Sequence, residues 1–79
     1  MPASLSVSLH NDMHEIRWFT VVDNVSGKTV LDCNLDDDET KTVQIAAGVS
    51  GEGDISYAPR GSITVRKFGI AAGDTVDMN

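Results

Sequence analysis

The chain is poor in cysteine, in basic side chains and in long apolar runs, and each shortage removes a class of protein. Cys33 is the only cysteine, so no internal disulfide reinforces the fold. A reducing cytoplasm is the simplest expectation, with secretion after removal of a signal as the alternative. Lys and Arg number 6 against 12 Asp and Glu, giving a formal net charge of −6. Phosphate backbones are repelled by such a surface, so nucleic acid is not an expected partner. The acidity serves solubility, and it also suits cation binding or docking onto a basic partner. No segment supplies the ~20 apolar residues of a membrane helix. The N-terminus, Met1-Pro2-Ala3-Ser4-Leu5-Ser6-Val7-Ser8-Leu9, lacks the basic start and unbroken apolar stretch of a signal peptide.

At 79 residues the chain suits a single domain spanning 1–79, which buries only ~60% of the surface exposed on unfolding. There is room for one thin core and none for a cleft walled by two lobes. Catalysis is therefore disfavoured at the outset.

What is present is β-sheet chemistry. Val, Thr and Ile recur throughout, and such β-branched side chains fit a pleated surface better than a helix. Leu5, Val7 and Leu9 alternate with Ser4, Ser6 and Ser8, the pattern of a strand with one wet face. The run from Glu15 to Val22 alternates and then becomes apolar on both faces, so this strand should be covered on both sides. After the turn residues Asp23-Asn24-Val25-Ser26-Gly27-Lys28, the series Leu31, Cys33, Leu35 gives a third strand with Cys33 as an inert core thiol. Val43, Ile45 and Ala47 mark a fourth strand and Ile55 with Tyr57 a fifth, ended by Pro59. Ile63 and Val65 begin a sixth that runs towards Phe68, and Val76 with Met78 form the last. About seven short strands predict an all-β fold, a small antiparallel β-sandwich, with a small barrel as the alternative. Its likeness to immunoglobulin domains is architectural, because the Cys…Trp…Cys pattern is missing.

Several motifs invite a chemical reading. Ser26-Gly27-Lys28-Thr29 resembles the end of a phosphate-binding loop, but the motif needs Gly where Val22 stands, and a strand follows in place of a helix. It reads as a hairpin turn. Asn24-Val25-Ser26 fits a glycosylation acceptor and lies in the same turn. Asp36-Asp37-Asp38-Glu39 could supply the oxygen ligands of calcium, with Asp32, Asp54 or Asp74 joining, although the spacing of an EF-hand is absent. His10 and His14 flank a turn and could share an ion with Asp12 or Glu15. No nucleophile sits in a strained-turn context, so an enzyme is not expected.

Trp18 and Phe19 are neighbours on one strand, so one of them points away from the core. If Ile16, Trp18, Thr20 and Val22 face inward, then Arg17, Phe19 and Val21 form an outer stripe. An exposed Phe19 beside Arg17, with Tyr57 and Arg60 beyond the glycine-rich loop of 48–54, is the expected ligand-binding set. The expected function is a non-enzymatic module recognising a glycan or a protein. Two further readings are self-association through strand edges or an apolar second face, which suits so small a core, and a calcium-binding module built on residues 36–39.

Overall fold

A computed structural model describes residues 4–79. Met1, Pro2 and Ala3, the start of the stretch read as unlike a signal peptide, lie outside the described residues. Seven strands follow one another: β1 (Ser4–Asn11), β2 (Arg17–Asp23), β3 (Lys28–Leu35), β4 (Thr40–Ala46), β5 (Gly53–Pro59), β6 (Val65–Ile70) and β7 (Thr75–Met78). They form two sheets, ordered β4-β1-β7 and β3-β2-β5-β6, and there is no helix among the described residues. The fold is a small all-β sandwich. No helix of the described residues is long and apolar enough to cross a membrane.

The wholly antiparallel expectation needs one correction. Four strand pairs are antiparallel, but β1 and β7 run parallel, with Ser8 beside Thr75 and Asn11 beside Met78. The cause is the turn after β6, which does not fold back on its own sheet but crosses to the other. There the Gly73 amide donates to the Ser6 carbonyl at 2.7 Å and the Ser8 amide to the Asp74 carbonyl at 2.9 Å. The sixth strand also starts later than expected, at Val65, and Ile63 stays in the preceding turn, largely exposed.

β1 folds as its alternation implies, with Val7 and Leu9 buried and Ser4 and Ser6 exposed. The faces of β2 are the reverse of expectation. Phe19 and Val21 are fully buried, whereas Ile16 is exposed and Trp18, Thr20 and Val22 lie on the outer face, half-buried. Phe19 pairs with Cys33 on one side and Pro59 on the other, and its side chain shares a common core with Leu9, Leu35 and Met78. Tyr57, opposite Val21, is buried in the same layer, its hydroxyl 3.4 Å from the Asn79 carbonyl.

The inner face of β2 begins in Arg17 and ends in Asp23, which hid its identity in the sequence. Both charges find places at the strand's ends. Asp23 is 2% exposed, yet its carboxylate accepts from the amides of Ala46 at 2.7 Å and Val25 at 3.0 Å and from the Ser26 hydroxyl at 2.9 Å. Burial by itself raises its pKa, but these donors outweigh it and hold the carboxyl below its ordinary value. The phosphate-loop-like segment is thus a hairpin turn organised by Asp23, with Gly27 in the left-handed region at φ 77°. At the opposite end Asn11, fully buried, donates to the carbonyls of Glu15, Leu35 and Asp36 and accepts from the Met13 amide, tying the β1–β2 and β3–β4 loops together. Where the sheets meet, a Cβ on Gly53 would fall 2.4 Å from the Ile45 Cδ1 atom, so only glycine fits there without repacking.

Candidate functional site

The outer face of β3-β2-β5-β6 is where unlike side chains are locked together. The register sets Asn34 beside Trp18 and Asp32 beside Thr20, with Ala58 on the other flank of Thr20. Asp32 lies across from both donors of β2: its Oδ1 accepts from the Trp18 indole N–H at 2.7 Å and from the Thr20 hydroxyl at 3.0 Å. The indole is thereby fixed in orientation while part of its ring stays accessible.

Arg60 completes this end. Its amide donates to the Trp18 carbonyl at 2.8 Å, extending the ladder one step past Pro59, and its guanidinium lies over the Trp18 ring, 5.1 Å from the centroid. Gly61, at φ 82°, turns the chain away immediately afterwards. Arg17 reinforces the turn by donating to the Arg60 carbonyl at 2.9 Å, while its other nitrogens bind Glu15. Among the described residues Arg17 and Arg66 form ion pairs and Arg60 forms none. Arg60 is therefore an oriented cation with its hydrogen-bonding edge unused by carboxylate.

A second aromatic–guanidinium pair stands at the other end of the face. Arg66 lies 5.6 Å from the ring centroid of Phe68 and binds Asp54, which also accepts from Asn24 at 2.9 Å. Hydrogen bonds from Arg66 and Asn24 take the Asp54 carboxyl down to about 2. Phe68 is 74% exposed, and with Val25 and Val49 it borders a cleft of about 320 Å³.

The residues expected from sequence divide cleanly. Arg17 and Arg60 do come together, joined by the hydrogen bond between them. Phe19 and Tyr57 do not join them, because both side chains are in the core and present no surface to a ligand. Trp18 takes the place assigned to Phe19. Asp32, considered before only as a neighbour of the acidic loop, is the residue that fixes Trp18. Its signal in the sequence was an acid interrupting the apolar series between Leu31 and Cys33.

The acidic segment is organised by its own turn. Glu39 accepts from the Asp36 amide at 2.8 Å and its amide donates to the Asp36 carbonyl at 3.0 Å. Asp38, at φ 62°, approaches the His10 ring at 3.3 Å. His10 is drawn to Asp77 on its other side, at 3.0 Å. The hydrogen bond to Asp77 and the charges of Asp77, Asp38 and Asp12 outweigh desolvation and raise the His10 pKa above 6.5. Among the described residues no group of three or more His, Cys, Asp and Glu side chains is placed to hold a metal ion. His14 is exposed in the β1–β2 loop.

No family model, curated protein or solved structure matches this chain. Its function is read from the geometry of its own surface.

Proposed function

We propose that this chain is a non-enzymatic binding module that recognises a glycan on the outer face of β3-β2-β5-β6, centred on Trp18. The observation that supports the reading most is the fixed Trp18–Asp32–Thr20–Arg60 group on an otherwise open sheet surface. A sugar ring offers apolar C–H faces within a rim of hydroxyls. The indole suits the first, and a carboxylate, a hydroxyl and a guanidinium suit the second. Pre-orientation matters because side chains already held in place lose little further freedom when a ligand arrives. Nothing in folding requires such a group, since an exposed strand position accepts almost any β-former.

The test is a glycan array followed by titration calorimetry with the native protein and the Trp18→Ala and Arg60→Ala variants. Binding of at least one glycan by the native protein is expected, with a loss of tenfold or more in Trp18→Ala. Native protein silent across the array, or a folded Trp18→Ala variant with undiminished affinity, would sink the glycan reading. A protein ligand is the second reading, favoured by the exposed Phe68 and Val49 on the same cleft. Pull-down by the native protein but not by Phe68→Ser would support it.

A further inference from the structure

The sandwich has four edge strands, and three are protected against pairing with another chain. β3 carries a bulge at Val30, where Val21 pairs with Leu31 but Val22 pairs with Thr29. β6 carries a bulge at Gly69, with φ 69°, and exposes Arg66 and Lys67. β7 is only four residues long. Bulges, charges and shortness are the usual means by which sheets blunt an edge.

β4 has none of these. Its seven residues keep an unbroken register against β1, from Ala46 beside Ser4 to Thr40 beside His10, and Lys41 is its single charge. The Glu39 carbonyl accepts from the Asn11 amide, so odd-numbered peptide groups face β1. The Ala46 amide turns the other way and is taken by Asp23. Since successive peptide groups alternate, Thr40, Thr42 and Gln44 also turn outward, and among the described residues their amides have no acceptor. Asp23 closes one end of this open row and the left-handed Asp38 closes the other.

We propose that this chain forms a two-fold dimer by antiparallel pairing of β4 with β4 of a second copy, centred on Thr42. In that register Thr42 meets its own counterpart and Thr40 meets Gln44 of the other copy. All three outward residues are then used, through about six backbone hydrogen bonds, and Ala46 is left to Asp23. The charges fit a second copy as well. Asp36, Asp37, Asp38 and Glu39 lie just before β4, whereas Lys28, which forms no ion pair among the described residues, borders the cleft beside Gln44, Ile45 and Ala46 at its far end. Antiparallel pairing brings the acidic turn of each copy towards Lys28 of the other. Facing hydroxyls of Thr42 are a favourable cross-strand pair, and so small a core gains from association. The inference is independent of the glycan reading, which concerns the other sheet.

Sedimentation equilibrium decides it, using the native chain, Thr42→Pro and Thr42→Lys. Proline at 42 deletes only an outward amide, so an edge strand tolerates it but a paired one does not. The native chain should be dimeric at tens of micromolar, and more weakly so at high salt because Lys28 contributes. Thr42→Pro should be monomeric with a retained cooperative β-sheet melt. Should proline prevent folding, Thr42→Lys gives the answer, since it sets two like charges against each other on the axis while leaving the backbone intact. A native chain monomeric at about 1 mM, or a folded Thr42→Lys variant as dimeric as the native chain, overturns the proposal.

Discussion

The two outer faces of the sandwich cover the same core with opposite kinds of surface. On β4-β1-β7 the outward residues are mainly small and polar, among them Ser6, Ser8, Thr42, Gln44 and Thr75. Across the core, β3-β2-β5-β6 presents two aromatics, two guanidiniums over them, and two aspartates that hold neighbours in place. The first face needs nothing more than solvation and β propensity. The second is more ordered than folding requires. That excess order, rather than any motif, is what the proposed glycan site rests on.

Substitutions along β2 test the contrast between its covered and open sides, beginning with the most severe. Phe19→Ala empties the layer between the sheets and should cost about 3–5 kcal/mol, read as a lower denaturant midpoint with little change in slope. Survival of the fold with less than about 1 kcal/mol lost would mean that Phe19 is not a core residue. Asp23→Ala leaves the Ala46 and Val25 amides and the Ser26 hydroxyl without their acceptor, at a cost of about 2–4 kcal/mol on the same measurement. Trp18→Ala, one residue from Phe19, should cost only about 1 kcal/mol, because its ring is half-exposed and its main contacts are to other surface groups. A loss as large as that of Phe19→Ala would erase the distinction between the two sides of the strand.

The smallest effect concerns the one organised spot on the polar face. His10 is held by Asp77 and Asp38, with Asp12 adding charge, and its folded pKa lies above 6.5. A raised pKa favours the protonated folded state, so this contribution is complete below about pH 6.5 and fades as the pH climbs through the raised value. Melting temperatures measured from pH 5 to 9 should carry this component in the native chain and lack it in His10→Gln. Identical profiles for the two would show that the carboxylates do not act on His10.

A comparison of β1 with β2 shows what could be read from the sequence. In β1 Ser4, Ser6 and Ser8 alternate with Leu5, Val7 and Leu9, so the buried face is unambiguous, and all seven strands were legible from alternation and turn residues. In β2 both faces carry apolar side chains, and the true inner face starts and ends in charges. Alternation alone favoured the wrong side. What decides the matter is tertiary: Asp23 is satisfied by the amide of Ala46 from the other sheet, and Arg17 by the Arg60 turn. Half of the expected site went with that reversal, taking Phe19 and Tyr57 inside and leaving Arg17 and Arg60 beside Trp18. The parallel β1–β7 pair was equally hidden, because it depends on which sheet the turn at Gly73 reaches, and the local sequence is neutral on that choice.

That parallel pair also governs how the domain bears load. Ser8 to Asn11 of β1 lie alongside Thr75 to Met78 of β7 with the same chain direction. Tension entering through Ser4 and leaving through Met78 therefore slides one strand along the other. All the hydrogen bonds between them resist together, where a hairpin pulled at its open ends yields one bond at a time. Within a longer chain under tension, this short strand would act as a mechanical clamp.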